Sequence, residues 1–217
     1  MIQFDIDLKG FVNMPYNEIH LFLIDLMYGM VVIITFLVIE RMIYYISSLK
    51  DGKLIEGILR ENLSDKKLLK EMKDKVHSRR TPQSKMIYEI IKGVGGRDMR
   101  HDTLTSLIQA IYFSRQAELN RFLWILETMT ILAPLFGLLG TICGIIETFQ
   151  SLAASGNSDP SGVSKGIGDA LFATGLGISI AIYGLAFYNY FSQKVNSINN
   201  QMKMISMVFL SQKEDKS

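Results

Sequence analysis

Three apolar blocks, Leu21 to Ile46, Phe122 to Phe149 and Val163 to Phe191, constrain this 217-residue chain more than any other feature. Each reaches the roughly 20 residues an α-helix needs to cross a bilayer core. In hydrocarbon every backbone donor and acceptor must be satisfied internally, which leaves helices or closed barrels. Runs of this length fit helices. The 48% hydrophobic content is therefore clustered rather than spread over a soluble core. An all-α membrane protein with three transmembrane helices is expected. The first block, interrupted only by Asp25, Glu40 and Arg41, is too long for a cleaved signal peptide.

The net charge of +2 conceals an asymmetry. Between Ser47 and Arg121 lie 16 Lys/Arg, whereas Lys9 stands alone before Leu21. The stretch from Ser151 to Ser164 has no basic residue, and the tail from Gln193 has four lysines. The positive-inside rule predicts an N-terminus outside and a C-terminus in the cytoplasm. The expected order is a periplasmic or interfacial segment 1–20, span 21–46, cytoplasmic helical domain 47–121 and span 122–150. A periplasmic loop 151–163, span 164–192 and a cytoplasmic helix and tail 193–217 follow.

Local signals refine this outline. Phe11, Met14, Tyr16 and Ile19 could lie on lipid, and Tyr28, Tyr44 and Tyr45 sit where an aromatic belt falls. Arg41 can snorkel to the inner interface. Ser64 and Thr81, the latter followed by Pro82, are helix-start signals, and Gly93, Gly95 and Gly96 stop the second of these helices. Apolar residues at 104, 107, 108, 111, 119, 122 and 126 keep helical spacing into the second span without a break signal. One long helix is predicted there, kinked or loosened at Pro134. The third span passes likewise into an amphipathic stretch carrying Val195, Ile198, Met202, Ile205 and Val208. Helices 2 and 3 of the bundle should thus extend into the cytoplasm.

Small residues recur inside the last two spans. Gly137, Gly140 and Gly144 mark the second, and Gly162, Gly166 and Ala170 the third, with a parallel stripe of Ala173, Gly177 and Ala181. Such stripes let membrane helices approach closely. They serve packing of span two on span three, packing between copies of the chain, or both. Among them stand Thr141, Asp169 and Thr174. A charge in hydrocarbon is costly, so Asp169 should face a bundle interior or water. It lies about 140° from Thr174 at 100° per residue, so the two cannot share one narrow stripe but could flank a lumen. The carboxylate can exchange a proton and the hydroxyls can hold water. The bland alternative is an interfacial Asp169 paired with Lys165 four residues earlier. Ser179 is expected to bond back to its own helix. Asp25, Glu127 and Glu147 read as interfacial, and Cys143 as a packed hydrophobe.

Other chemistries lack their motifs. No GxxxxGK[ST], HExxH or GxSxG occurs, and His20, His77 and His101 have no metal-ligand spacing. No enzyme, metal or cofactor is expected. Ten acids intersperse the basic 47–121 segment, which favours solvent or membrane lipids over nucleic acid.

The runs APLFGLLGTICGIIETF and GIGDALFATGLGISIAIYGLAFYNYF resemble the MotA/TolQ/ExbB proton-channel family, in particular its three-span ExbB/TolQ branch. MotA-like stators have four spans and a larger cytoplasmic domain. The resemblance implies a ring-like homo-oligomer, a pentamer, around a lumen lined by helices 2 and 3. It implies an ExbD/TolR-like single-span partner inside the ring and a TonB/TolA-like protein beyond it. Thr141 of GLLGT and Thr174 of DALFAT match the family's pore threonines. Asp169 matches its pore acid, usually glutamate in ExbB and here one methylene shorter. The implied function is the proton-channel subunit of an inner-membrane motor that drives work on the outer envelope. A passive oligomeric scaffold is the alternative, needing the small stripes but not the polar residues. A solute transporter fits poorly, since three spans without inverted repeats make a poor alternating-access device.

Overall fold

A computed structural model describes residues 16–61, 81–94, 100–155 and 160–214. They form five helices: α1 (Tyr16–Glu61), α2 (Pro82–Val94), α3 (His101–Asn120), α4 (Leu123–Ser155) and α5 (Pro160–Glu214). Three segments, Glu18–Gly57, His101–Ala154 and Pro160–Ser211, are long and apolar enough to cross a membrane. Expectations for residues 1–15, the Ser64 cap, His77, Gly95 and Gly96 lie outside the described residues.

The chain divides into two compact units, Met1–Leu37 with Ile125–Tyr188, and Val38–Trp124 with Asn189–Ser217. The first holds the opening turns of α1, most of α4 and the first half of α5. Its surface is apolar. Val32 and Phe36 are each 68% exposed, and Ile131, Leu135, Leu171 and Ile182 are exposed too. In water such a surface would be an association hazard; in a bilayer it meets lipid or a neighbouring helix. Inside, Ile19, Leu23 and Cys143 form a small cluster closed by Phe136. Cys143 is thus the packed apolar residue its place in the run implied.

The second unit has a conventional core. Met86, Ile87 and Ile90 of α2 are buried, as are Leu104, Ile108 and Ile111 of α3 and Val195, Ile198, Met202 and Ile205 of α5. Those of α3 and α5 are positions the helical spacing marked, with Leu107 and Val208 half-buried. α2 starts at Pro82, where the missing N–H costs nothing, and the Thr81 hydroxyl donates to Ser84 Oγ at 3.0 Å. Gln83 Nε2 bridges two helices, donating to Ser48 O at 3.1 Å and Gln201 Oε1 at 3.0 Å. Lys85, Glu89, Arg115 and Glu118 tie α2 to α3 through contacts of 2.6–3.0 Å.

Two expectations change. The predicted single helix from residue 101 through the second span is interrupted at Arg121–Phe122, where Phe122 adopts φ 70°. A left-handed residue with a Cβ costs about 1–2 kcal/mol. Stacking offsets this, since the guanidinium of Arg41 lies 4.9 Å and that of Arg121 4.7 Å from the Phe122 ring. The interruption also leaves carbonyls at the end of α3 without helical donors, and Tyr45 Oη donates to Leu119 O at 2.9 Å. Arg41 is buried among Tyr44, Tyr45 and Phe122 rather than reaching outward. In the second change, helix replaces much of the loop read at 151–163: α4 persists to Ser155 and α5 begins at Pro160. Pro160 is a favourable first helical residue. α4 runs unbroken through Pro134.

Candidate proton-relay site in the membrane unit

α4 and α5 cross on the small residues singled out above. At Gly137 an added Cβ would lie 2.9 Å from Ala173 O and 3.1 Å from Thr174 Cα. At Gly177 it would lie 2.5 Å from Ala133 O and 3.1 Å from Gly137 Cα. Those neighbours are backbone atoms and cannot swing aside. The crossing therefore requires glycine on both helices, one mutual contact of the pair being Gly137 on Gly177. Gly140 meets the Ala173 methyl, and Gly144 the Ala170 methyl, at 3.1 and 2.9 Å from the same construction. Ala170 and Ala173 are fully buried, Gly166 packs on Thr148, and Ala181 is half-buried. The stripes thus serve packing within one chain. Two contributors, Ala133 and the pair of Gly184 with Thr130, stand outside the stripes named from the sequence. Gly177 and Gly184 are seven residues apart, a two-turn spacing that could have marked the second.

This close approach brings Thr141 and Thr174 together. Their hydroxyls are hydrogen-bonded to each other across the helix pair. Thr174 Oγ1 also faces Gly137 O at 3.1 Å, and Thr141 Oγ1 faces Gly137 O at 3.1 Å and Ala170 O at 3.2 Å. Two hydroxyl protons thus serve several acceptor directions. Each hydroxyl has one donor and two lone pairs, so rotation alone changes which acceptor receives the proton. Such a pair can both take and give a proton. Other hydroxyls in this unit bond back to their own helices: Thr35 to Val31 O at 2.8 Å, Thr148 to Gly144 O at 2.7 Å and Ser179 to Gly175 O at 2.8 Å. Ser179 thus behaves as expected.

Asp169 does not join the threonines. It is exposed and lies on the rim of a cleft of about 440 Å³. The cleft gathers residues from three helices: His20 of α1, Glu147 and Thr148 of α4, and Asp169 of α5, with apolar walls of Leu21, Ile24 and Phe172. Five residues, or about 7.5 Å of helix axis, separate Asp169 from Thr174. Among the described residues Lys165 and Asp169 form no ion pair, so the acid's place does not follow from that partner. Glu147, read as interfacial, is a half-buried cleft residue. His20 carries no signal in the sequence that marks it for this cleft. No group of three or more His, Cys, Asp or Glu suited to a metal occurs among the described residues.

Residues 60–204, which include both α4 and the site on α5, match the MotA/TolQ/ExbB proton channel family. The chain belongs to that family. Relatives within it include the ExbB biopolymer transport protein of Aquifex aeolicus, 38% identical over 80 residues, 37% of this chain and 54% of that protein. The ExbB of Xanthomonas campestris is 30% identical over 105 residues, covering 48% and 41%. A protein named as an ExbB homologue from Methanothermobacter thermautotrophicus is 28% identical over 151 residues, covering 70% and 52%. The chain spans about half the length of these relatives.

Proposed function

We propose that this family member is the proton-channel subunit of an ExbB–ExbD-like or TolQ–TolR-like inner-membrane motor. The observation that carries the reading is the Thr141–Thr174 hydroxyl pair at a glycine crossing, about one and a half turns of α5 from Asp169. A structural crossing needs only small residues. This one also holds two linked hydroxyls and places Asp169 on an open cleft. Packing alone asks for neither.

In this reading five copies form a ring around a single-span partner of the ExbD/TolR kind, with N-termini outside and C-termini in the cytoplasm. The partner presents its own acid to the lumen. Asp169 receives or delivers the proton at one side. The threonine pair keeps a hydrogen-bonded route open between helices that would otherwise be dry. Flow of protons turns the partner against the ring, and a TonB/TolA-like protein carries the force outward for import or envelope maintenance. The chain then acts as a channel subunit and not as an enzyme.

The glycine–alanine crossing by itself also suits a passive scaffold, and one experiment separates the two. Thr174→Val keeps the side-chain shape and removes the hydroxyl. In the complex with its single-span partner, Thr174→Val and Asp169→Asn should each reduce proton-driven activity at least about tenfold without loss of assembly. Normal activity in well-assembled variants would leave the scaffold.

A further inference from the structure

The cleft beside Asp169 contains a group that neither packing nor the threonine crossing uses. His20 is only 8% exposed, yet its Nε2 is fully buried without a hydrogen-bond partner. Leaving a buried polar atom unpaired is unfavourable, and apolar side chains of similar size would avoid it. The ring edge sits against Gly144: a Cβ there would be 3.2 Å from His20 Cδ2 and 2.9 Å from the Ala170 methyl. Ala170 directly follows Asp169, and its carbonyl faces the Thr141 hydroxyl at 3.2 Å. His20 and Thr141 therefore lie about one turn of α4 apart, and Asp169 shares the cleft with the ring. Glu147 and Thr148 from α4 and Asp169 from α5 line the cleft with His20, and among the described residues no Lys or Arg lines it. On its own helix Glu18 and Asp25 are the nearest charged residues in sequence.

We propose that His20 is a proton-relay residue, handing protons between water in the cleft and the carboxylates of Glu147 and Asp169. The cleft volume of about 440 Å³ holds several water molecules at roughly 30 Å³ each. The neutral ring, which lines the cleft, accepts a proton from a cleft water linked to the exterior. The resulting imidazolium passes a proton through a second water to a carboxylate and returns to neutral. One proton enters and one leaves, with no other reactant. An imidazole suits this step because its charge changes between pH 5 and 8. The inference rests on the channel reading above and adds an entry station to it.

The test uses the full complex with its single-span partner in liposomes, with a pH-sensitive dye reporting proton flux under an imposed potential. His20→Gln preserves size and polarity but cannot carry charge. The expected result is flux about tenfold lower, with the dependence on external pH between 5 and 8 flattened; Glu147→Gln should weaken the same dependence. Ring-nitrogen NMR on the wild-type complex supplies an independent readout, with His20 assigned by its loss in His20→Gln. The His20 ring proton should exchange with water, and Glu147→Gln should slow that exchange. Unchanged flux and pH profile in His20→Gln overturns the relay while leaving the channel intact. A wild-type complex that passes no protons overturns the channel and the relay with it. A His20 ring proton that does not exchange with water overturns the relay whatever the flux.

Discussion

At the scale of single residues, the site depends on atoms that are missing as much as on atoms present. Gly177 has no Cβ, so Ala133 O and Gly137 Cα lie where one would stand. Gly177→Ala must push α4 and α5 apart, because the obstruction is backbone. The expected cost is about 1–3 kcal/mol, the range for overpacking a fitted contact. It should appear as a lower Tm of the detergent-purified protein and as weakened proton-driven activity, since separation also breaks the Thr141–Thr174 bond. Gly175→Ala is the matched control: nothing lies within 4 Å of its added Cβ within the chain. The run GLLGTICG made the glycines and Thr141 legible. That Thr141 and Thr174 touch was not, because contact across two helices depends on their relative rotation. No spacing within either helix states it.

At the scale of elements, the informative feature is the break between α3 and α4. Helical periodicity runs through it, and the residues there contain no glycine or proline. The interruption comes from tertiary contacts. Arg41 and Arg121 stack on the turned-out Phe122 ring, and Tyr45 caps Leu119 O. Removing the Tyr45 hydroxyl leaves that carbonyl unpaired at a buried site. Tyr45→Phe should therefore lower stability by about 1–3 kcal/mol, read as a Tm decrease with helical content unchanged by circular dichroism. A Tm equal to wild type would show that the carbonyl finds another donor. The start of α2 is the opposite case. Thr81–Pro82 announced it locally, and the helix begins there because cap and proline geometry involve only adjacent residues.

At the scale of the whole molecule, two compact units share three long segments suited to a bilayer. The one with exposed Val32 and Phe36 is built for lipid or neighbouring helices. The unit with Met86, Ile108 and Ile198 at its centre is built like a soluble bundle. Charge distribution predicts which side each occupies, and impermeant thiol labelling can check it. On a Cys143→Ala background, Ser158→Cys should react in intact cells stripped of their outer barrier. Lys50→Cys should react only after the inner membrane is opened. The reverse pattern would invert the topology and move the His20 cleft to the cytoplasmic side.

By itself, the sequence determined the helical membrane class, the three spans, the packing stripes and the family, because hydropathy, small-residue spacing and motif order are properties of the linear chain. Tertiary structure alone decided that Thr141 bonds Thr174, that Asp169 opens onto a cleft with His20 and Glu147, and that a phenylalanine breaks a helix. Those outcomes turn on how helices rotate and approach one another. That choice is made by packing contacts between residues far apart in the chain, and a one-dimensional pattern does not record it.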